Sequence, residues 1–188
     1  MSGPAHQIDV IVPPRRLFFM QTRMYGLPVA VLHDYDGDKA SMQVRLARLF
    51  DVVNLSGPEL SKAETVTILN DLAAYAPSAL AGPQFRWKAI DGMQAAVTFQ
   101  NGPHTVGATL IFNSEGDLVD FHSPDRAELQ NDGTLKILPW STPLSDYREF
   151  QGRRAAAKGE AVYHRPDGPF VYGRFAVTGV RFNEAERS

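Results

Sequence analysis

The chain has no cysteine among its 188 residues, which excludes disulfides, thiolate nucleophiles and zinc–thiolate sites together. It has no excess of positive charge. With 19 Lys and Arg against 21 Asp and Glu the formal net charge is −2. Nothing is spare to neutralise a run of phosphates, so nucleic acid is not an expected partner. There is no long apolar run either. Stretches such as Leu72–Ala76 fall far below the roughly 20 residues that a membrane-spanning helix needs, and no span is expected. The opening Met1-Ser2-Gly3-Pro4-Ala5-His6-Gln7 has no basic region followed by an apolar one, as a secretion signal would, so the default expectation is a cytoplasmic chain. No composition shift, linker or internal repeat marks a boundary. One domain over 1–188 is expected, with 1–14 a tail or a loose first strand.

What is present is ordinary globular material: 44% hydrophobic, 10% aromatic and 21% charged residues, enough apolar surface for a core without staples. Much of it alternates with period two, the mark of half-buried strands. Strands are expected at Leu17–Met24, at Val29–His33 and from Ala40 to Val53, with Asp36-Gly37 as a hairpin signal. Further strands follow at Phe85–Ile90, Ala95–Phe99, Val106–Phe112 and Leu118–His122. Their turns are Asp91-Gly92, Asn101-Gly102 and Asn113–Gly116. Turns this tight cannot join parallel neighbours, so these strands form an antiparallel meander. Asn131-Asp132-Gly133 and Trp140-Ser141-Thr142-Pro143 mark an irregular stretch. Three closing strands are expected at Tyr147–Phe150, Glu160–His164 and Phe170–Phe182, with a bulge at Gly179.

One segment changes period. Ser56-Gly57-Pro58-Glu59 and Ser61-Lys62-Ala63-Glu64 both match a capping box, and 100° steps place Thr65, Ile68, Leu69, Leu72, Ala73, Tyr75 and Ala76 on one broad face. Glu64, Thr67, Asn70, Asp71 and Ala74 fall on the other. Pro77 stops the helix, so one main amphipathic helix is expected over 58–76. The resulting expectation is an α+β fold, mainly antiparallel β. Roughly nine to eleven strands form a single strongly curved, half-barrel-like sheet, with the helix packed on its concave face.

Few residues carry chemistry. Glu64, Thr67 and Asp71 share a helical face at i, i+3 and i+7. They are placed to hold a polar ligand group or to work as a paired acid and base, or else to form a solvated surface. Asp125-Arg126 follows a strand end, as an anion clamp or as an ion pair locking the loop from 123 to 140 against the sheet or against Glu64 and Asp71. With Trp140, these are the candidate ligand-binding residues: Glu64, Thr67, Asp71, Asp125, Arg126 and Trp140. Asp34-Tyr35-Asp36-Gly37-Asp38 has the carboxylates of a calcium loop without the spacing of one, and reads as a hairpin turn. The histidines at 6, 33, 104, 122 and 164 have no metal-ligand spacing. His33 and His122 could each be a base oriented by a nearby carboxylate, Asp34 or Asp125. No dinucleotide fingerprint, P-loop or nucleophile elbow occurs. No catalytic residue, metal or cofactor is assigned.

The runs Met24-Tyr25-Gly26-Leu27-Pro28-Val29, Glu64–Asp71, Phe121-His122-Ser123-Pro124-Asp125-Arg126, Trp140-Ser141-Thr142-Pro143 and Asp167–Gly173 resemble an uncharacterised bacterial family, a domain of unknown function, from about Leu17 to Asn183. Where members of that family often carry Tyr-Asn near the end, this chain has Phe182-Asn183. The closing pattern from Asp146-Tyr147-Arg148 through Gly152 also resembles the lipoprotein-carrier-like half-barrels of bacterial envelopes, in which a curved antiparallel sheet wraps helices and binds acyl chains. The many strand aromatics fit walls of an apolar cavity. The expected function is therefore non-catalytic binding of an apolar or amphipathic, lipid-like small molecule between helix and sheet. The alternatives are a hydrolase-like enzyme in which Glu64, Asp71, Asp125 and His122 converge, or a protein-interaction domain using an exposed strand edge.

Overall fold

A computed structural model describes residues 2–47 and 49–183. Its strands sort into two main antiparallel sheets and one small hairpin, not into a single sheet. The first sheet is a five-stranded meander of β1 (Ala5–Val10), β2 (Arg15–Met24), β3 (Leu27–Asp36), β4 (Lys39–Leu46) and β5 (Phe50–Ser56). The first residues, expected as a tail or a loose first strand, hold a paired edge strand, with Asp9 opposite Arg16. The run from Ala40 to Val53 is two strands, because Ala47 takes a left-handed backbone (φ 53°) and turns the chain there.

The helix α1 (Pro58–Tyr75) comes next, followed by a 3₁₀ turn, Pro77–Ala81. The second sheet opens with the expected meander, β6 (Phe85–Ala89), β7 (Gln94–Asn101), β8 (His104–Phe112) and β9 (Leu118–Ser123). The stretch expected to be irregular holds a small hairpin, β10 (Ala127–Leu129) and β11 (Leu135–Ile137), and then β12, only Trp140–Ser141. That short strand lies between β9 and β14. Closing strands β13 (Leu144–Phe150), β14 (Arg153–Arg165) and β15 (Gly168–Ala176) complete the sheet in the order β13-β14-β12-β9-β8-β7-β6, with β15 on the other edge of β14. The register break lies at Ala161/Val162. Gly179 falls after β15 has ended and makes no bulge. Among the described residues no sheet is strongly curled or closed, and no helix is long and apolar enough to cross a membrane.

The two sheets enclose α1. Ile68, Leu69 and Leu72 are buried, as their spacing requires, but Glu64, Thr67, Asn70 and Ala74 on the opposite face are buried too. The polar face is not solvated because a second layer lies over it. One contiguous core joins Leu69, Val66 and Leu72 of α1 to Tyr35 of β3 and to Val97, Phe99, Val106, Phe121 and Trp140 of the second sheet. The capping boxes are not formed. Gly57 is the N-cap, without a side-chain bond. Ser61 Oγ donates to Gly57 O and accepts from the Ala40 amide, and Glu64 turns away into an ion pair.

Candidate functional site

Strand alternation explains how charge comes to face the helix. On β2, Arg16 is in phase with Phe18 and Met20, and on β3 His33 lies opposite Phe18. Both therefore point inward, toward the Glu64 and Asp71 face of α1. Arg16 Nε donates to Asp71 Oδ2 at 2.8 Å, and its Nη1 is 3.7 Å from Glu64 Oε2. Arg126, in the connection after β9, donates from Nη2 to Glu64 Oε1 at 2.7 Å. Its guanidinium lies 5.8 Å from the ring centre of Trp140. His33 Nδ1 is 3.9 Å from Glu64 Oε1. From the edge strand, Gln7 Nε2 donates to both Asp71 and Asp9, each at 2.8 Å.

These charges sit in low dielectric and answer one another. Burial alone would raise the Glu64 carboxyl, but the charge of Arg126, then those of His33 and Arg16, with the Arg126 hydrogen bond, hold it down at about 2. Burial pushes Asp71 up against the pull of Arg16. Burial pushes the His33 imidazole down, so a neutral ring faces Glu64 near neutral pH. With Glu64 ionised, buried and paired, the cluster offers no proton at that carboxylate near neutrality. Its geometry joins β2, α1 and the β9–β10 connection.

Of the six candidate ligand-binding residues, Glu64, Asp71, Arg126 and Trp140 meet in this cluster. Thr67 lies on the same helix, its Oγ1 buried and without a hydrogen-bond partner among the described residues. Asp125 stands apart from its neighbour Arg126. Its Oδ2 accepts the Gly107 amide at 2.8 Å, and Oδ1 is 3.5 Å from Lys62 Nζ. Successive side chains of a strand point to opposite faces, so His122 lies across the second sheet from buried Phe121 and away from Glu64. The enzyme arrangement of Glu64, Asp71, Asp125 and His122 in one pocket is not formed. Neither histidine has the carboxylate expected of it: His33 faces Glu64, not Asp34, and His122 Nε2 is bonded to Asp120 at 2.8 Å, not to Asp125. Asp34, Tyr35 and Asp36 end β3, and Gly37-Asp38 make the hairpin turn to β4. Among the described residues no group of three or more His, Asp or Glu is placed to hold a metal.

Two features escaped the pattern reading. Arg16 was visible only as a charge in phase with two apolar strand residues. Ser141 and His164, bonded Oγ to Nε2 at 2.8 Å, with the His164 ring stacked on His122 at 5.8 Å, lie on strands far apart in sequence. Two openings lie elsewhere. A polar cleft of about 290 Å³ is lined by Gln130, Asn131, Lys136, Asp167 and the ion-paired Glu128 and Arg165. An apolar groove of similar volume, about 290 Å³, runs between the end of α1, the 3₁₀ turn and the second sheet, and is lined by Ala73, Pro77, Leu80, Ala81, Trp87, Leu110 and Phe112.

The molecule is thus an α+β protein with one helix held between two antiparallel sheets by a buried ionic cluster. Residues 1–175 match the model of a family of unknown function, DUF6544, and the chain belongs to that family. No curated protein and no solved structure matches it.

Proposed function

We propose that this chain is a non-catalytic binding module for an apolar or amphipathic small molecule, taken up in the groove between the end of α1 and the second sheet. The observation that carries the reading is the lining of that groove: every wall residue is apolar. The helix and the 3₁₀ turn leave part of the helix-facing surface of the second sheet uncovered. Trp87 of β6 is 46% exposed there, and its indole N–H is already spent on Leu80 O at 3.0 Å. It therefore presents ring surface, not a donor. Apolar surface kept open beside a packed core is characteristic of ligand sites. The volume sits at the low end of small-molecule pockets, roughly 300–1,000 Å³, so the guest is one short chain or ring rather than a whole lipid.

The test uses 1-N-phenylnaphthylamine as an apolar fluorescent probe. The protein should take up one probe per chain, with a change in Trp87 emission. Ala81→Trp, which fills the groove from an exposed rim position, should abolish uptake while leaving the unfolding midpoint in place. Native mass spectrometry with solvent extraction of protein purified from cells then identifies a natural guest. Failure of the wild-type protein to take up the probe, or uptake unaffected by Ala81→Trp, would remove this reading.

A further inference from the structure

We infer that the polar cleft between the β10–β11 hairpin and the β14–β15 turn is a second binding site, and that it takes a small zwitterion, an amino acid or a dipeptide. The cleft encloses about 290 Å³. It shares no lining residue with the apolar groove beside α1, so the two openings are distinct. Its walls come from two tight turns that face each other, and their side chains carry both signs of charge.

The walls are set without a guest. Glu128 and Lys136 stand opposite each other in the hairpin ladder, so their side chains leave the same face. Glu128 is buried and fully engaged. Arg165 Nε donates to both of its oxygens at 3.2 Å, Arg165 Nη2 donates to Oε1, and Gln130 Nε2 donates to Oε2 at 3.2 Å. The Arg165 guanidinium is held from its other side, 3.6 Å from the ring centre of Phe170. The hairpin loop is braced by the Gln130 amide on Thr134 O at 2.8 Å, and by Asp132 Oδ1, which accepts from the Thr134 amide and hydroxyl at 3.0 and 2.7 Å. Across the cleft, Pro166-Asp167 form a two-residue turn closed by the pairing of Arg165 with Gly168. A guest therefore meets ordered groups and little has to be fixed on binding.

The unspent charges select the guest. Glu128 and Arg165 neutralise each other, which leaves Lys136 and Asp167, of opposite sign, lining the same cavity. Among the described residues neither side chain has a hydrogen bond or an ion pair of its own. An anion such as phosphate is attracted by Lys136 and repelled by Asp167, and a simple cation meets the reverse. A guest with a carboxylate at one end and an ammonium at the other answers both. Asn131 and the Gln130 carbonyl oxygen add neutral hydrogen-bonding capacity on the same wall, and Leu138 offers apolar contact to the carbon skeleton. The volume lies at the low end for small-molecule pockets, roughly 300–1,000 Å³, which suits an amino acid or a dipeptide and not a longer chain.

Isothermal titration with the standard α-amino acids and glycylglycine tests this, with glucose as a neutral polar control. At least one zwitterion should bind, one per chain. Its N-acetyl and carboxamide forms, each lacking one of the two charges, should not displace it. Lys136→Met and Asp167→Asn should each weaken binding about tenfold, the worth of one charge-assisted hydrogen bond. Both positions are exposed, and Asn keeps the turn preference of Asp, so the unfolding midpoint of the unliganded protein should stay in place. No binding by any member of the series, affinity retained in both variants, or glucose bound as well as the best zwitterion would overturn the inference.

Discussion

Arg126 donates a 2.7 Å hydrogen bond to Glu64 across 62 residues of chain, with both side chains in the interior. A buried pair of this kind is weak evidence for net stability, yet it is expensive to break on one side only. Arg126→Met should therefore cost about 3–5 kcal/mol by leaving the Glu64 charge uncompensated. The double replacement Arg126→Met with Glu64→Leu should be milder than either single change. Denaturant unfolding of all three variants checks this, and an Arg126→Met cost below about 1 kcal/mol would mean that Arg16 alone carries Glu64.

Acid should unlock the same pair. The Glu64 carboxyl is held at about 2, against 4.5 for the ordinary group. The folded state thus binds its proton less readily than the unfolded chain does. Its contribution is complete above about pH 4.5 and is lost as pH falls toward 2, on the order of 3 kcal/mol in all. His33, whose folded value is lowered, begins to cost stability earlier, as pH falls below about 6.5. Asp71, raised by burial, works in the opposite sense, gaining stability from protonation. The difference in unfolding free energy between the wild type and Glu64→Gln, followed from pH 6 to pH 2.5, should shrink below pH 4.5 and isolates the Glu64 part.

A neutral network performs the same joining on the other side of the helix. Tyr35 Oη is 2.7 Å from Thr65 Oγ1 and accepts from Asn101 Nδ2 at 2.7 Å, so β3, α1 and the β7–β8 turn meet at one buried oxygen. Tyr35→Phe keeps the ring and removes both bonds, while Thr65 Oγ1 keeps its bond to Ser61 O and Asn101 Nδ2 its bond to Gly37 O. It should cost about 0.5–1.5 kcal/mol, measurable as a lower denaturation midpoint at unchanged m-value.

Leu72 lies in the common core of helix and sheets. Leu72→Ala should cost about 2–5 kcal/mol. A smaller loss in thermal unfolding would show that the neighbouring groove collapses into the space.

Strand periodicity and turn chemistry made most of the ladder legible in advance. Asp36-Gly37, Asp91-Gly92, Asn101-Gly102 and Asn113–Gly116 all turn where expected. The turn after β4 carried no such signal, since an alanine supplies its positive φ. The sorting of strands into two sheets was also hidden, because alternation reports that one face is buried and not which layer buries it. That is why Glu64 and Asp71 looked like a solvated face. Their spacing, and the placement of Arg126 after β9, still pointed to the right helix face and connection. Arg16 and His33 could not be assigned to them, because only the pairing of β2 with β3 brings those side chains to the helix.

Between β9 and β14 of the second sheet only the short β12 makes the stitch, its two paired residues extended by the Thr142 amide on Phe121 O and the His164 amide on Pro139 O. On one side lie β6 to β9, each hairpinned to the next. On the other lie β13 to β15, equally local in sequence. Each group can assemble from near neighbours, whereas the stitch requires a distant partner and brings little ladder of its own. The sheet is thus two halves, each local in sequence, with a seam between them. The helix crosses that seam, since it packs on both β8 and β14. Side-chain packing on α1 thus joins the two halves alongside the short backbone ladder of β12.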